Sequence, residues 1–416
     1  MVKALEGIKV VEVSTIAAGP MAGRLLADWG ADVIHVEHPV TGDPWRTWIT
    51  KPDGSPLDEE VNYHHWENSN RNKRSIALNI AQDRGRGILG KLIERSDVFI
   101  TNRRPYELKK FKLDYETLSL VNRRLIYGSV TGFGKFGPDS NAPGHDTVAF
   151  WARSGFMNLL QQYGGPPPSM GYRTIAAGDN FTGLALACGI LLALFVRERT
   201  GLGQEVDVSL LHTGIFALVP VAMALSKIDK DFGSLAEYER INCREREHAP
   251  PFSISYETKD GRWLQFSLAP PDPYMLGLFK AIGRQDLLLD PKFGTPEARA
   301  QNKLELFRIL EDVFRTKTLA QWKSLLNEAG LIWSPIQNLQ EVIEDPQAKA
   351  NGVFATFDHP SLGQLQVVSN PIKLSKTPAT MRIPAPEFAQ HTEEVLMELG
   401  YTWEEIRQFK QEGIIP

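Results

Sequence analysis

The chain has 416 residues, of which 42% are hydrophobic and 23% charged, and its formal net charge is −4. This length suits two domains better than one, and the composition is that of a globular protein with a large core. The charge balance gives no sign of a polyanion-binding protein, so we expect no nucleic-acid partner.

The first forty residues predict a βαβ unit. Ile8 to Val13 is a β-branched run typical of a buried parallel strand. A stretch with helical spacing follows; we place Pro20 at its first position and Gly30 at its end. Residues 31–37 then read as a second strand.

The same alternation continues to residue 137. The predicted elements are a strand at Ser75–Ile80, a helix at Asp83–Arg95, and strands at Asp97–Ile100 and Leu125–Val130. This order favours an α/β fold with a Rossmann-like, doubly wound sheet and ligands at the carboxyl ends of its strands. The dinucleotide fingerprint is absent from the first turn, which argues against an NAD(P) oxidoreductase. The turn at Gly132–Gly134 is either a ligand loop or a solvent turn.

The second half of the chain predicts a smaller α/β region. Residues 226–251 are charged and weakly periodic, and we interpret them as a connector. A hairpin turning at Asp260–Gly261 follows. Helices are predicted at Tyr274–Ile282 and Glu305–Glu328, and beyond Pro335 the chain reads as irregular and proline-rich up to a helix at Glu393–Leu399.

These elements divide the chain into three parts. Residues 1–225 form the first part of a large Rossmann-like domain, residues 226–335 a small α/β domain with its connector, and residues 336–416 a C-terminal segment that returns to the large domain. The apolar run Leu184–Val196 is too short to span a bilayer comfortably, so we expect a buried helix and no membrane association.

Two cysteines, Cys188 and Cys243, are too few for a disulfide framework or a zinc site. Together with an N-terminus that lacks an apolar signal-peptide core, they indicate a reducing, cytoplasmic setting and no metal.

Asp179 stands just before the long apolar helix. The simplest interpretation is a helix N-cap, which stabilises a helix by about 1 kcal/mol. A second interpretation is compatible with the first, because a helix N-terminus favours an ionised carboxylate.

Eight sequence blocks, in order, resemble those of the class III CoA-transferases of the formyl-CoA/carnitine type. They are LEGIKVVEVSTIAAGPMAGRLLADWGADVIHVEHPVTGDPWR, NRNKRSIALNI, SDVFITNRRP, LIYGSVTGFGKFGP, GDNFTGLALACGILLAL, RTGLGQEVDVSLLH, DPQAKANGVF and HTEEVLMELGY. Together they extend over essentially the whole chain. No block is decisive alone, but their number and order are specific.

The resemblance implies that CoA moves from an acyl-CoA thioester to a free carboxylic acid, with Asp179 as the nucleophile and aspartyl anhydride and aspartyl-CoA intermediates. It also implies an interlocked homodimer, although a heteromer stays open. Acyl-CoA and a carboxylic acid would be the substrates, with no permanently bound cofactor. The small residues Ala176, Ala177 and Gly178 leave room for a thioester.

The resemblance also assigns candidate site residues. His145 and Gly178 are candidate acid/base or substrate contacts beside Asp179. The candidate CoA contacts are Thr15, Ile16, Ala17, Ala18, His38, Lys73, Asn102, Arg104 and Lys110. Two positions depart from the family pattern, because Ala17 stands where glutamine is frequent and His38 where arginine is frequent.

Two alternatives remain open. The α-methylacyl-CoA racemases share the fold, and the sequence Gly144-His145-Asp146 resembles the stretch that holds their histidine, so His145 and Asp179 could exchange an α-proton. The other alternative is a non-catalytic CoA-binding subunit of a heteromeric transferase. Residues 245–256 lack the glycine-rich loop of oxalate-specific members, and aromatic residues such as Phe150 and Trp151 suggest a larger, partly apolar acyl group.

Overall fold

A computed structural model describes residues 2–48, 50, 51, 53, 55, 59–161, 166–170, 176–218 and 249–416. The chain divides into two compact units. The first contains residues 1–156, 169–219 and 347–416, and the second contains residues 157–168 and 220–346. Most of the predicted connector, residues 226–251, lies outside the described residues.

The first unit is built on a parallel sheet of six strands. These are β1 (Lys9–Val13), β2 (Asp32–Glu37), β3 (Lys73–Ala77), β4 (Val98–Thr101), β5 (Ile126–Thr131) and β6 (Glu205–Ser209). Their spatial order is β3-β2-β1-β4-β5-β6, and every neighbouring pair is parallel. This is the strand order of a doubly wound sheet, in which the direction of winding reverses between β1 and β4. The predicted α/β fold with a parallel sheet is confirmed.

Helices cover the sheet in the first unit. Those described before residue 217 are α1 (Ala18–Asp28), α2 (Glu59–Asn70), α3 (Asp83–Glu94), α4 (Pro105–Phe111), α5 (Tyr115–Val121), α7 (Ala177–Thr200) and α8 (Leu210–Phe216). The short helix α6 (Phe156–Leu159) begins at residue 156 of the first unit, and its other residues belong to the second unit. A 3₁₀ turn at Pro44–Thr47 and a π-helix at Thr147–Ala152 complete this part.

Alternation along the strands gives the sheet two apolar faces. Val10 packs in one cluster with α1 and α7, whereas its neighbour Val11 packs in the other with α3 and the C-terminal helices. Helices α1 and α7 approach each other closely, since a Cβ on Gly183 would lie 2.7 Å from the Ala18 carbonyl oxygen. Glycine at 183 therefore fixes how closely these two helices pack.

Helix α7 is long and apolar enough, by length and composition, to cross a membrane. A core helix passes the same test, and the buried side chains of α7, among them Leu186 and Ile190, pack on α1 and β5. Burial in the first unit therefore explains part of the apolar run, whereas Leu192, Phe195 and Val196 on the same helix are exposed.

The second unit has its own core. Strands β7 (Ser255–Glu257), β8 (Trp263–Phe266) and β9 (Trp333–Pro335) form an antiparallel sheet. Helices at Asp272–Ala281, Pro296–Gln301, Lys303–Phe314 and Leu319–Glu328 accompany it, with shorter helical segments at Gln285–Leu288 and Leu339–Glu344. The predicted hairpin at Asp260–Gly261 is confirmed. Its strand residue Tyr256 packs on Phe314, which packs on Trp322.

Three sequence-based expectations are wrong. The predicted helix Glu305–Glu328 is two helices, because Thr318 caps a new helix at Leu319. The segment after Pro335 is not uniformly irregular: it also contains a helix at Pro346–Ala350 and a hairpin of β10 (Phe354–His359) and β11 (Gly363–Val368). Pro20 is the third residue of α1, which begins at Ala18. The chain closes with helices at Thr392–Glu398 and Trp403–Gln411.

A buried polar cluster around Asp28 holds the C-terminal segment, residues 347–416, against the other parts of the first unit. The Asp28 carboxylate accepts hydrogen bonds from Arg71 at 3.0 and 3.1 Å and from Asn72 at 2.8 Å. Arg71 and Asn72 in turn donate to the carbonyl oxygens of Val368 and Thr380.

We expect Asp28→Ala to lower the free energy of unfolding by roughly 3–5 kcal/mol, because Arg71 and Arg24, which lies 3.4 Å from Asp28, both lose a buried counter-charge. Denaturant-induced unfolding measures the change. The matched control is Asp83→Ala, since the Asp83 side chain is 95% exposed in its pair with Arg86 and should contribute less than about 1 kcal/mol. Equal effects of the two substitutions would contradict the role given to the Asp28 cluster.

Candidate active site

A cavity of about 570 Å³ opens at the carboxyl ends of the parallel strands of the first unit. Its walls are the loops that follow β1, β4 and β5, together with the first turn of α7. Strands β1 and β4 are the neighbours between which the sheet reverses its winding. The cavity therefore occupies the position where doubly wound sheets bind ligands.

Asp179 lines this cavity from the first turn of α7 and is 9% exposed. The helix begins at Ala177, and its N-cap is Ala176 in the left-handed region at φ 58°. Asp179 is therefore the third helical residue, and its interpretation as the N-cap is wrong. Within the described parts of the chain, no hydrogen bond to its carboxylate is found, and the residue lines the cavity.

Asp146 caps α7 from outside the helix. Its Oδ1 accepts a hydrogen bond from the Asp179 backbone N–H at 2.9 Å, and its Oδ2 accepts one from Trp151 Nε1 at 3.0 Å. The N–H groups of Asp179 and Gly178 both favour the ionised form of Asp146, although burial raises its pKa overall. A carboxylate 33 positions away in sequence thus satisfies the first N–H groups of α7 and leaves the Asp179 side chain unengaged.

The electrostatic environment makes Asp179 hard to ionise. Burial is the larger cause and the nearby Asp146 carboxylate the smaller, and together they raise the pKa of Asp179 to about 7. A carboxyl group with such a pKa in a cavity is a candidate for chemistry.

The cavity wall formed by Thr15–Ala18 is held from two sides. The Asn102 side chain accepts the Thr15 N–H at 3.0 Å and donates to the Thr15 carbonyl at 2.6 Å. The Ile16 N–H donates to both oxygens of Asp43, at 3.1 and 3.3 Å. Asn102, predicted as a CoA contact, therefore lines the cavity, but its side-chain amide is hydrogen-bonded to Thr15 of this loop.

Aromatic side chains form another part of the wall. Trp45 and Trp48 have ring centroids 5.8 Å apart, and Trp48 meets the His145 ring edge-on at 5.7 Å. His145 is exposed and lines the same cavity as Asp179. The structure therefore brings the two predicted reactive residues to one site, with indole rings beside the histidine.

Cationic side chains reach the cavity from the loop after β4. Arg103 and Arg104 both line it, and burial lowers the pKa of Arg103. Lys73 does not line it: the side chain is fully buried, its ammonium pairs with Glu12 at 2.9 Å, and it donates to the Pro20 carbonyl. His38 and Lys110 are exposed and also lie outside the cavity lining.

Glycines allow the close approaches around the site. A Cβ on Gly178 would overlap Asp146 Oδ1 and Phe150, so the predicted substrate contact at 178 acts in the structure as a packing position. Gly132 and Gly144 cross so tightly that a Cβ on Gly132 would lie 2.8 Å from the Gly144 Cα. The glycine-rich turn after β5 is thus a cavity wall.

Sequence reasoning missed Asp43, Trp45 and Trp48, and it did not give Asp146 a role at the helix terminus. The pairing of Asp146 with α7 depends on a contact between distant segments. Asp43 lies in a quoted block, but only the fold shows that it reaches Ile16. Among the described residues, no group of three or more His, Cys, Asp or Glu side chains could hold a metal ion.

Known proteins similar to this chain match it over nearly its full length. Residues 5–392 match the family model described as CoA-transferase family III. The cinnamoyl-CoA:phenyllactate CoA-transferase of Clostridium sporogenes is 33% identical over 407 residues, which cover 98% of this chain and 96% of that protein. The (R)-2-hydroxy-4-methylpentanoate CoA-transferase of Clostridioides difficile is 33% identical over 413 residues, which cover 99% of each.

A solved structure is similar as well. The crystal structure of a CAIB/BAIF family protein from Brucella suis has a TM-score of 0.79 and 30% sequence identity, and the match covers 96% of this chain and 100% of that one.

The raised pKa of Asp179 can be tested without any substrate. In protein labelled with ¹³C at the aspartate carboxyl groups, we expect one resonance to titrate near pH 7 and to be missing in Asp179→Asn. Asp146→Asn should move that titration to lower pH, because it removes the negative charge beside Asp179 while an oxygen still accepts the Asp179 N–H. Asp139→Asn, at an exposed carboxylate, is the control and should leave it in place. An Asp179 resonance titrating near 4 would contradict this description.

Proposed function

Because the chain belongs to CoA-transferase family III, we propose that it moves coenzyme A from an acyl-CoA thioester to a free carboxylic acid, with Asp179 as the nucleophile. The observation that supports this most strongly is the Asp179 carboxylate, which lies without a described partner at the wall of the cavity. Small residues surround it, since Ala17, Ala18 and Ala176 line the same space. A thioester carbonyl can therefore approach the carboxylate.

The proposed chemistry conserves the thioester. The Asp179 carboxylate attacks the donor carbonyl and expels CoA thiolate, which gives a mixed anhydride. The thiolate attacks the aspartyl carbonyl and releases the donor carboxylate, which leaves aspartyl-CoA. The acceptor carboxylate then attacks this thioester and expels thiolate again. Finally the thiolate attacks the new acyl carbonyl, which forms product acyl-CoA and restores Asp179.

The environment of Asp179 suits this role. A carboxylate is a weak nucleophile in water, and the buried position of Asp179 removes much of its hydration. The nucleophile is ionised only above its pKa, so the reaction should need a pH near or above 7. Limited access of water also protects the anhydride and the aspartyl thioester from hydrolysis.

The basic loop after β4 fits the other end of the substrate. Arg103 and Arg104 line the cavity and offer guanidinium groups to the phosphates of CoA. We propose Arg104 and the Thr15–Ala18 loop as CoA contacts. His38, Lys73 and Lys110 carry less support as CoA contacts, because they lie outside this cavity lining.

We further propose an acyl group that is apolar and larger than formyl or oxalyl. Trp45 and Trp48 give the cavity an aromatic wall, and Ala17 leaves space beside it. Two relatives are named for cinnamoyl-CoA and phenyllactate and for (R)-2-hydroxy-4-methylpentanoate, acids with an aryl or a branched apolar group. An aryl or branched carboxylic acid is accordingly the acceptor class to test first.

An α-methylacyl-CoA racemase is the second candidate, because His145 and Asp179 line one cavity and could exchange a proton on either side of an α-carbon. Against it, the racemases usually carry alanine before the aspartate. At Gly178 the Cβ of an alanine would overlap Asp146 and Phe150.

The homodimer stays a proposal, with a heteromer as its alternative. Exposed apolar side chains on α7 and α8, such as Leu192, Phe195 and Phe216, are consistent with a subunit contact. A cytoplasmic location likewise stays a proposal.

The transferase proposal predicts new thioesters in a donor–acceptor assay. With an acyl-CoA donor and a panel of free acids, mass spectrometry should detect transfer of CoA to aryl or branched acids. Asp179→Asn should lower the rate by at least about 10³-fold, because the nucleophile is lost. Hydroxylamine added during turnover should convert Asp179 to a hydroxamate. The control variant Asp139→Asn should transfer CoA at the rate of the unchanged protein.

The same assay in deuterated water separates the two reactions. A transferase makes new thioesters, and His145→Ala weakens it only partly. A racemase exchanges the α-proton, and His145→Ala abolishes it. Proton exchange without any CoA transfer would contradict the proposed function.

A further inference from the structure

A buried row of charged side chains leads from the edge strand β3, across β1 and β2, to the cavity wall. The Lys73 ammonium lies 2.9 Å from Glu12 Oε2, and Glu12 Oε1 lies 2.6 Å from His35 Nδ1. On the other side of the ring, His35 Nε2 lies 3.3 Å from Asp43 Oδ2. All four side chains are buried, so each charge depends on its neighbours for compensation.

His35 is placed between two carboxylates, Glu12 on β1 and Asp43 in the turn after β2. Its Nδ1 is within hydrogen-bond distance of Glu12, whereas its Nε2 approaches Asp43 as an ion pair without hydrogen-bond geometry. A positive ring at this position compensates both buried carboxylates, so the arrangement favours the protonated form of His35.

Asp43 connects the buried row of charged side chains to the cavity wall. Its oxygens accept the Ile16 N–H at 3.1 and 3.3 Å, and Oδ1 also accepts the Trp45 N–H at 2.8 Å. Asp43 therefore touches two parts of the cavity wall, the Thr15–Ala18 loop and the indole-bearing turn.

Ile16 needs such a restraint. Its φ is 70°, in the left-handed region, where a β-branched residue is strained. Strained backbone persists only where the surroundings over-determine it. Here Asn102 holds Thr15 on one side and the Asp43 carboxylate holds the Ile16 N–H on the other.

We propose that Asp43 and protonated His35 are positioning residues, which fix the Ile16 turn in the shape that receives the acyl-CoA substrate opposite Asp179. This proposal rests on the proposed function for the identity of the ligand. The restraint on the loop itself rests only on the contacts described above.

Charged groups on the neighbouring strands and turn affect the pKa of His35. Glu12 of β1, Glu37 of β2 and Asp43 favour it, whereas Lys73 of β3 opposes it. Arg46 is occupied by Glu37, to which it donates at 2.7 and 2.8 Å. Burial lowers the pKa of His35, but the carboxylates outweigh it and raise the pKa to about 9.

The sign of the pH effect follows from this shift. The folded pKa lies above the ordinary value of 6.5, so the stabilisation by His35 is complete below 6.5 and is lost as the pH rises through about 9. Above that pH the neutral ring releases one carboxylate, and we expect the Ile16 turn to loosen.

The first measurement is the pH profile of CoA transfer. We expect kcat/KM to fall above about pH 9, mainly through a rise in KM for acyl-CoA. His35→Lys keeps a cation between the carboxylates and should move this fall to higher pH. His35→Gln and Asp43→Asn should lower kcat/KM about tenfold or more at neutral pH, because the wall is displaced. His359→Gln, at another buried histidine outside the cavity lining, is the control and should leave KM unchanged.

The second measurement needs no activity. Hydrogen exchange at pH 7, followed by mass spectrometry, should show faster exchange of a peptide covering residues 14–21 in His35→Gln and Asp43→Asn, with β4 and β5 unchanged. Unaltered exchange of this peptide, or a His35→Lys variant with the same alkaline fall as the unchanged protein, would overturn the proposal. If no CoA transfer is found at any pH but the peptide loosens, the proposed function fails while the restraint on the loop stands.

Discussion

The active-site geometry depends on the hydrogen bond from the Asp179 backbone N–H to the Asp146 carboxylate. A helix beginning at a non-glycine residue in the left-handed region has N–H groups that need acceptors. An aspartate in the first turn could accept them itself, and its side chain would then point back into the helix. Because Asp146 supplies the acceptor from another segment, the Asp179 carboxylate is left for the cavity. The absence of a hydrogen-bond partner for the Asp179 carboxylate is thus a consequence of capping by Asp146.

This arrangement places two buried carboxylates side by side, which opposes stability and favours chemistry. Asp146 is compensated by two hydrogen bonds, from the Asp179 N–H and Trp151 Nε1. Asp179 receives no comparable compensation among the described residues, so the unfavourable terms fall on it and raise its pKa. Glu12 in the same unit shows the opposite pattern. It is fully buried, yet its pKa is held at about 2 because Lys73 and His35 outweigh the effect of burial. Burial alone therefore does not make a reactive group.

Features that depend on local sequence patterns, such as the strands and their alternation with helices, could be predicted from the sequence. Apolar β-branched runs located β1, β4 and β5 within one or two residues, and their alternation with helices predicted the parallel sheet. Block resemblance led to Asp179 and to the Thr15–Ala18 loop, both of which line the cavity. The errors have physical reasons. The start of α7 depends on the left-handed Ala176, and the hairpin β10–β11 depends on strand pairing within a proline-rich stretch. Lys73 was predicted as a CoA contact, whereas its ammonium neutralises the buried Glu12, a pairing that only the fold reveals.

Two strained residues, Ile16 at φ 70° and Ala176 at φ 58°, line the cavity, and each stands just before a helix, α1 or α7. These helices pack at close range because residue 183 has no side chain, so their first turns face a common space. Each turn has an aspartate from another segment as its acceptor, Asp43 for Ile16 and Asp146 for the start of α7. In both parts of the cavity wall, the Ile16 turn and the start of α7, an aspartate from a distant segment therefore accepts the backbone N–H groups. A change in the charge of either acceptor should therefore move the backbone of the cavity wall. For Asp43 this is the only route to the cavity that the described contacts offer, whereas Asp146 also lines the cavity itself.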